Sequence, residues 1–169
     1  MAMKILFKIT ENLLRQVHSD LARPHAFAAE RVGFLACKVA LIKPRALAIL
    51  AREFWPVDDD DYLDDPGAGA TIGAAAFRKA LQAAYKEPWS MFHIHVHSHF
   101  GRPRSSGIDL REAGNFVPDF WHVRPEFPHG ALVLSRDSVS GLCWVPGQRK
   151  PVPIQSFTVV GFPMRAIRD

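Results

Sequence analysis

Four of the eight histidines fall on alternate positions of one short stretch, His93-Ile94-His95-Val96-His97-Ser98-His99. Successive side chains of a strand point to opposite faces, so the four imidazoles project one way while Ile94 and Val96 project the other. Ser106 and Asp109 follow, three residues apart and therefore on one face of a helix that starts there. Two imidazoles and one carboxylate are the usual protein ligands of a catalytic zinc, whose fourth position stays open for water. The spacing His97-x-His99 followed by Ser106-x-x-Asp109 lets a strand end and the start of the next helix converge on one ion, with Asp109 as ligand and Ser106 as hydroxyl donor. A zinc hydrolase also needs a general base that is not itself a ligand. Glu30, at the mouth of the apolar run Arg31-Val32-Gly33-Phe34-Leu35, is the candidate.

Each assignment has a plainer competitor. A histidine-rich strand face can be merely solvated, Glu30 can be a surface carboxylate, and Ser106 can serve as a helix N-cap. The presence of Glu30, Ser106 and Asp109 together favours the metal. His18, His25, His122 and His129 have no partners at ligand spacing and are expected to be surface or packing residues.

The elements that must position these residues follow from pattern. Lys4 to Ile9 alternates as a strand, and Thr10 then caps a helix carrying Leu13, Leu14, Val17 and Leu21, with Pro24 beyond it. Val32 to Ile42 and Ala46 to Val57 form a core strand pair joined near Lys43-Pro44-Arg45. Asp58 to Gly73, rich in aspartate and glycine, is expected to be a long solvated loop. It lacks the spaced ligands of a calcium loop. It is read as an insertion. Ala74 to Lys86 is helical, with Phe77, Leu81, Ala84 and Tyr85 on one face, and Pro88 ends it before the histidine strand. A helix starts near Gly107, Phe116 to Pro128 is irregular and belongs to the core, and Ala131 to Leu134, Gly141 to Val145 and Ile154 to Gly161 close the sheet.

Composition sets the bounds. The 169 residues, 48% hydrophobic and 22% charged, fit one compact domain spanning 1–169. The net charge of +4 is scattered and not interleaved with aromatics, so no nucleic-acid partner is expected. No apolar run reaches the roughly 20 residues of a membrane helix, Met1 to Thr10 lacks the order of a signal peptide, and no membrane partner is expected. Cys37 and Cys143 sit in apolar, strand-like surroundings that fit buried thiols in a reducing, cytoplasmic setting.

Glu30-x-x-Gly33-x-Leu35, the strand ending His97-Ser98-His99, and Gly101-x-Pro103-x-x-Ser106-x-x-Asp109 together resemble the JAMM motif of the JAB/MPN metalloprotease family, particularly its prokaryotic branch. The order of elements resembles the family's from about Thr10 to Val145. The resemblance implies an α/β, cytidine-deaminase-like fold with a curved mixed sheet flanked by helices. It implies a zinc isopeptidase or peptidase acting on the C-terminal tail of a ubiquitin-like protein, by precursor processing or deconjugation. Carried over, Glu30 is the base, His97, His99 and Asp109 hold one Zn2+, and Ser106 stabilises the oxyanion. Enzymes of a bacterial ubiquitin-like conjugation or antiphage system are the implied neighbours.

Two departures keep the ligand register open. Phe100 stands where the family usually has proline, and the loop from His99 to Ser106 is one residue short of the usual length. With His95 and His97 as the pair it is one residue long. The serine between His97 and His99 and the glycine at 101 favour the later pair, leaving His93 and His95 as supporting groups. A metal-free scaffold of the same fold, and a zinc peptidase for sulfur-carrier proteins or other peptides, are the alternatives.

Overall fold

The computed structural model describes residues 3–24, 26, 28–64, 69–104 and 107–167. The chain runs β1 (Lys4–Thr10), α1 (Glu11–Leu21), β2 (Val32–Lys43), β3 (Ala46–Pro56), β4 (Tyr62–Leu63), β5 (Thr71–Ile72), α2 (Ala74–Lys86), β6 (Ser90–Val96), α3 (Gly107–Phe116), β7 (His129–Leu134), β8 (Val139–Trp144), β9 (Val152–Pro153), β10 (Ser156–Val160) and β11 (Arg165–Ile167). Nine strands form one mixed sheet in the order β11-β10-β1-β3-β2-β6-β7-β8-β9, and β4 pairs with β5 apart from it. The architecture is α/β, as the sequence pattern requires.

Period-two alternation gives the sheet two apolar faces, and helices cover both. Phe7 of β1, Leu35 of β2, Ile49 of β3, Phe92 and Ile94 of β6 and Leu132 of β7 pack beneath Leu13, Val17 and Leu21 of α1. Val32, Phe34 and Ala36 of β2 and Met91 of β6 face the other way, toward Ala76, Ala80 and Ala84 of α2 and toward Phe120. Phe7 and Phe92 meet edge to face at 5.4 Å, a geometry that adds about 0.5–1.5 kcal/mol to simple burial. Gly33 lets β2 and β3 close up, because a Cβ there would collide with the Phe54 ring. Thr10 caps α1 by accepting a hydrogen bond from Leu13 N–H at 3.3 Å.

Several local expectations need correction. The described residues of segment 58–73 are more structured than a solvated loop, because Asp58, Asp59 and Asp61 have cationic partners. Lys79 of α2 contacts Asp58 and Asp61, each at 2.6 Å, Asp59–Asp61 forms a short 3-10 turn, and β4 and β5 pair across the segment. The inner stripe of α2 is Ala76, Ala80 and Ala84; Tyr85 is 71% exposed. Small residues let the helix lie close to the sheet, and one further residue of rotation carries Tyr85 to solvent. Val117–His122 is a 3-10 helix that buries Val117 and Phe120, so this part of the aromatic segment is ordered core. Cys37 and Cys143 are free and buried. Among the described residues no helix is long and apolar enough to cross a membrane.

His129, expected to be a surface or packing residue, is wholly buried at the start of β7. Met91 N–H donates to its Nδ1 at 3.0 Å, and its Nε2–H donates to the Arg124 carbonyl at 3.1 Å. Phe120 stacks on the ring at 5.4 Å. Burial drives its pKa down to about 4, with the Arg124 carbonyl and Glu126 opposing. The unfolded chain, with an ordinary histidine near pH 6.5, binds the proton first, so this contribution is complete above about pH 6.5 and lost as pH falls toward 4. In urea titrations from pH 7.5 to 4, His129→Gln, whose amide can make both hydrogen bonds, should show a flatter pH dependence than the wild type. His129→Leu should lose about 2–3 kcal/mol at pH 7.5, because it leaves the Met91 N–H and the Arg124 carbonyl unpaired.

Candidate metal centre

β6 lies between β2 and β7, which fixes its side chains from both sides. His95 is in register with Val32 of β2 and Val133 of β7. The strand ends at Val96, but His97 N–H still donates to the Leu134 carbonyl at 2.8 Å, holding His97 on the last rung. His95 Nε2 and His97 Nε2 lie 3.2 Å apart. Two ligand atoms each about 2.0–2.1 Å from a tetrahedral zinc are about 3.4 Å apart, so the spacing suits one shared ion. Asp109, in the first turn of α3, brings Oδ1 to 3.8 Å from His95 Nε2. Glu30, His95 and His97 each offer a ligand atom within 4.8 Å of the other two, a group that could hold a metal ion.

Of the expected ligands, His97 lies in this group, Asp109 stands beside it against His95, and His99 lies outside it. His99 is exposed, with its ring centroid 5.6 Å from that of His97 and its Nδ1 donating to the Phe100 carbonyl at 2.9 Å. Residues 98–101 form a bend beyond the strand, with the His99 carbonyl accepting from Arg136 N–H at 3.1 Å, so strand alternation stops before the last histidine. The structure therefore brings together the earlier pair, His95 and His97. Burial holds the pKa of His95 below the ordinary histidine value, against the pull of the Asp109 charge. The ring is neutral at pH 7 and keeps the lone pair a metal needs. Ser106, the expected oxyanion donor, lies outside the described residues.

Glu30 enters from a segment braced on every side. Its N–H donates to the Gly69 carbonyl at 2.7 Å. Next to it, the Arg31 guanidinium is 3% exposed, donating from Nε to the Arg23 carbonyl at 2.9 Å and from Nη2 to the Pro24 carbonyl at 2.8 Å, and contacting Asp59 at 2.6 Å through Nη1. Then the Tyr62 hydroxyl accepts from Val32 N–H at 2.8 Å and donates to the Val32 carbonyl at 3.3 Å. Three consecutive residues are thus tied to segment 58–73. Burial raises the pKa of the Glu30 carboxyl, with His97 pulling it down and the Asp109 charge pushing it up. A carboxylate made more basic in this way suits proton transfer near neutrality. Gly69 packs directly on it: a Cβ there would stand 3.0 Å from Glu30 Oε2 and 3.2 Å from Cδ. Arg31, Tyr62 and Gly69 escaped the sequence reading, which had no signal for which loop residues would meet Glu30.

The cluster opens into a cleft of about 450 Å³, within the range of small-ligand sites. Val32, Ala70, Ile72, Phe77 and Phe116 form its apolar walls, and His93 lines it below His95.

No family model matches the chain, and no curated protein matches it. Among solved structures, the STIL N-terminal domain of Trichoplax adhaerens aligns with 82% of this chain and 40% of its own, at 13% identity and a TM-score of 0.39. The chain thus spans less than half the length of that protein chain.

His95→Ala and His97→Ala should each weaken zinc binding at least about 100-fold in a competitive indicator titration, since each removes a clustered nitrogen. His99→Ala should change it less than about 3-fold. Equal losses at all three positions would refute the ligand pair read here.

Proposed function

We propose that the chain is a zinc-dependent peptidase of the JAB/MPN type, hydrolysing the peptide or isopeptide bond at the C-terminal tail of a ubiquitin-like protein. The supporting observation is the grouping of Glu30, His95 and His97, with Asp109 3.8 Å from His95, in one cleft. The order Glu30, His-x-His, then Asp109 on the following helix is the order the motif resemblance requires.

In this reading His95, His97 and Asp109 hold the ion. Zinc, when bound, supplies Lewis acidity toward the substrate carbonyl and acidifies water. Glu30 takes a proton from the attacking water through its carboxylate and passes it to the leaving amine. Its position beside His97 and its upward-shifted pKa serve both transfers. Neutral His95 adds no positive charge to compete with the ion. The apolar cleft walls exclude bulk water from the reacting groups, which strengthens every charge interaction among them.

A second reading follows from the same cluster. Glu30, rather than Asp109, completes the ligand set with His95 and His97, because its ligand atom lies within 4.8 Å of both nitrogens. The two readings part at Glu30→Gln. If Glu30 is the base, the variant keeps stoichiometric zinc by elemental analysis and loses about 100- to 10,000-fold in kcat on a ubiquitin-like fusion. If Glu30 is a ligand, zinc is lost as well. Gly69→Ala should retain zinc and lower kcat about 10-fold or more, because its methyl group displaces the Glu30 carboxylate. Wild-type protein that takes up no zinc, or zinc-loaded protein that cleaves no such fusion, would refute the proposal.

A further inference from the structure

Helices lie on both faces of the sheet, but α2 reaches only part of its own. Its buried residues meet Val32, Phe34 and Ala36 of β2, Met91 of β6 and, of β3, only Trp55; among the described residues none of β1 or β10 joins them. β10, β1 and β3 run parallel to one another, and parallel strands are normally covered on both faces. Here α1 closes one face, over Ile5, Phe7 and Ile9 of β1, Ile49 of β3 and Phe157 of β10. The alternate residues Leu6, Lys8, Leu50, Ser156 and Thr158 point the other way and are only half-buried. Leu6 and Leu50 belong to no core cluster.

Strand register lays this open face out in three rows. Lys8, Leu50 and Lys38 form one, Leu6, Ala48 and Ala40 the next, and Lys4, Ala46 and Lys43 the third. An apolar row thus lies between two rows that each carry lysine on β1 and on β2. Each strand residue advances about 3.3 Å, so Lys4 and Lys8 stand about 13 Å apart. Lys38 marks the border with α2, its Nζ 3.8 Å from the Trp89 ring centroid. Strands β1, β2, β3, β10 and β11 carry one acidic residue, Glu53, at the same border, where it accepts from Trp55 Nε1–H at 3.1 Å. A face merely open to water mixes charges of both signs. This one sets only cations around its leucines and alanines.

We infer that this open face docks an amphipathic helix of a partner protein, apolar along one stripe and acidic on both flanks. A helix about 10–12 Å across fits between lysine rows about 13 Å apart, and Ala40, Ala46 and Ala48 let its backbone approach the sheet closely. Its carboxylates meet Lys8 on one side and Lys4 and Lys43 on the other. A helix laid on strands is also how α2 closes the other half of this face. A second copy of the chain would set lysines against lysines. The three rows hold no aromatic side chain to stack on bases or to anchor in lipid, which argues against nucleic acid and a membrane. Lys43 lies at the opposite end of β2 from Val32, the residue in register with His95, so the docked helix leaves the metal cleft open.

The probes are two helical peptides of about 18 residues with the same leucine stripe, one flanked by glutamates and the other by lysines. On the full-length protein at low salt, fluorescence anisotropy should show the glutamate peptide binding at least about 10-fold tighter than the lysine peptide. The methyl resonances of Leu6, Leu50 and Ala48 should shift as it binds. Lys4→Glu, Lys8→Glu and Lys43→Glu together should invert the preference. Lys43→Glu alone, at an exposed position, should narrow it at least about 3-fold, a check that survives misfolding of the triple variant. Equal affinity for the two peptides in the wild type overturns the inference, as does a preference that survives charge reversal or shifts methyl groups only elsewhere. Retention of phosphatidylserine vesicles or of a DNA duplex, lost on charge reversal and with neither peptide bound, also overturns it and gives the face to that partner. None of these readouts needs zinc, so they stand apart from the peptidase reading.

Discussion

The position of β6 between β2 and β7 is the constraint on which the rest of the structure depends. Ladders on both sides leave its backbone no freedom, and strict alternation then sorts its side chains between two different environments. Phe92 and Ile94 drive into the core under α1, and that burial locks the register. His93 and His95 gain their places on the opposite face as a consequence. A slip of one residue would bury the imidazoles under α1 and turn Phe92 and Ile94 toward the cleft, so packing the apolar face fixes the geometry of the polar one. Each fully buried residue of this size contributes about 1.5–3 kcal/mol, far more than the weak contacts among the imidazoles.

The centre is assembled from parts of different rigidity. His95 and His97 are held by the sheet, and Asp109 by the first turn of a helix. Glu30 depends on a segment outside the sheet, fixed by Arg31, Tyr62 and the Gly69 carbonyl. Arg31 illustrates how an enclosed charge can be supported mainly by neutral groups. Two main-chain carbonyls accept from its guanidinium, and Asp59, 60% exposed, adds a partner that solvent screens. The side chain therefore acts as a pin joining the turn after α1 to the start of β2.

The strands, helices and the cluster's location were legible in sequence because each rests on periodicity or on short-range spacing. Alternation in 93–97, the Thr10 cap and the 74–86 helix all emerged from local pattern. The ligand register was not legible, because it depends on where the strand stops, and that is decided by the hydrogen bond from His97 to Leu134, far away in sequence. Motif spacing favoured His99, whereas the structure groups His95 and His97 and leaves His99 exposed beyond the strand end. Segment 58–73 was misjudged for a related reason. Asp58 and Asp59 are exposed, yet Lys79 and Arg31, distant in sequence, tether them.

Glu30 is mounted apart from the sheet, on a support separate from that of the two histidines it meets. Glu30 is tied by one backbone hydrogen bond to Gly69, a residue between two short strands that pair with each other and not with the main sheet. Opening of that small hairpin would withdraw the carboxylate while the histidine nitrogens stayed in place. Drift in a few loop residues would then be enough, over evolutionary time, to take Glu30 out of the group while His95 and His97 kept their places.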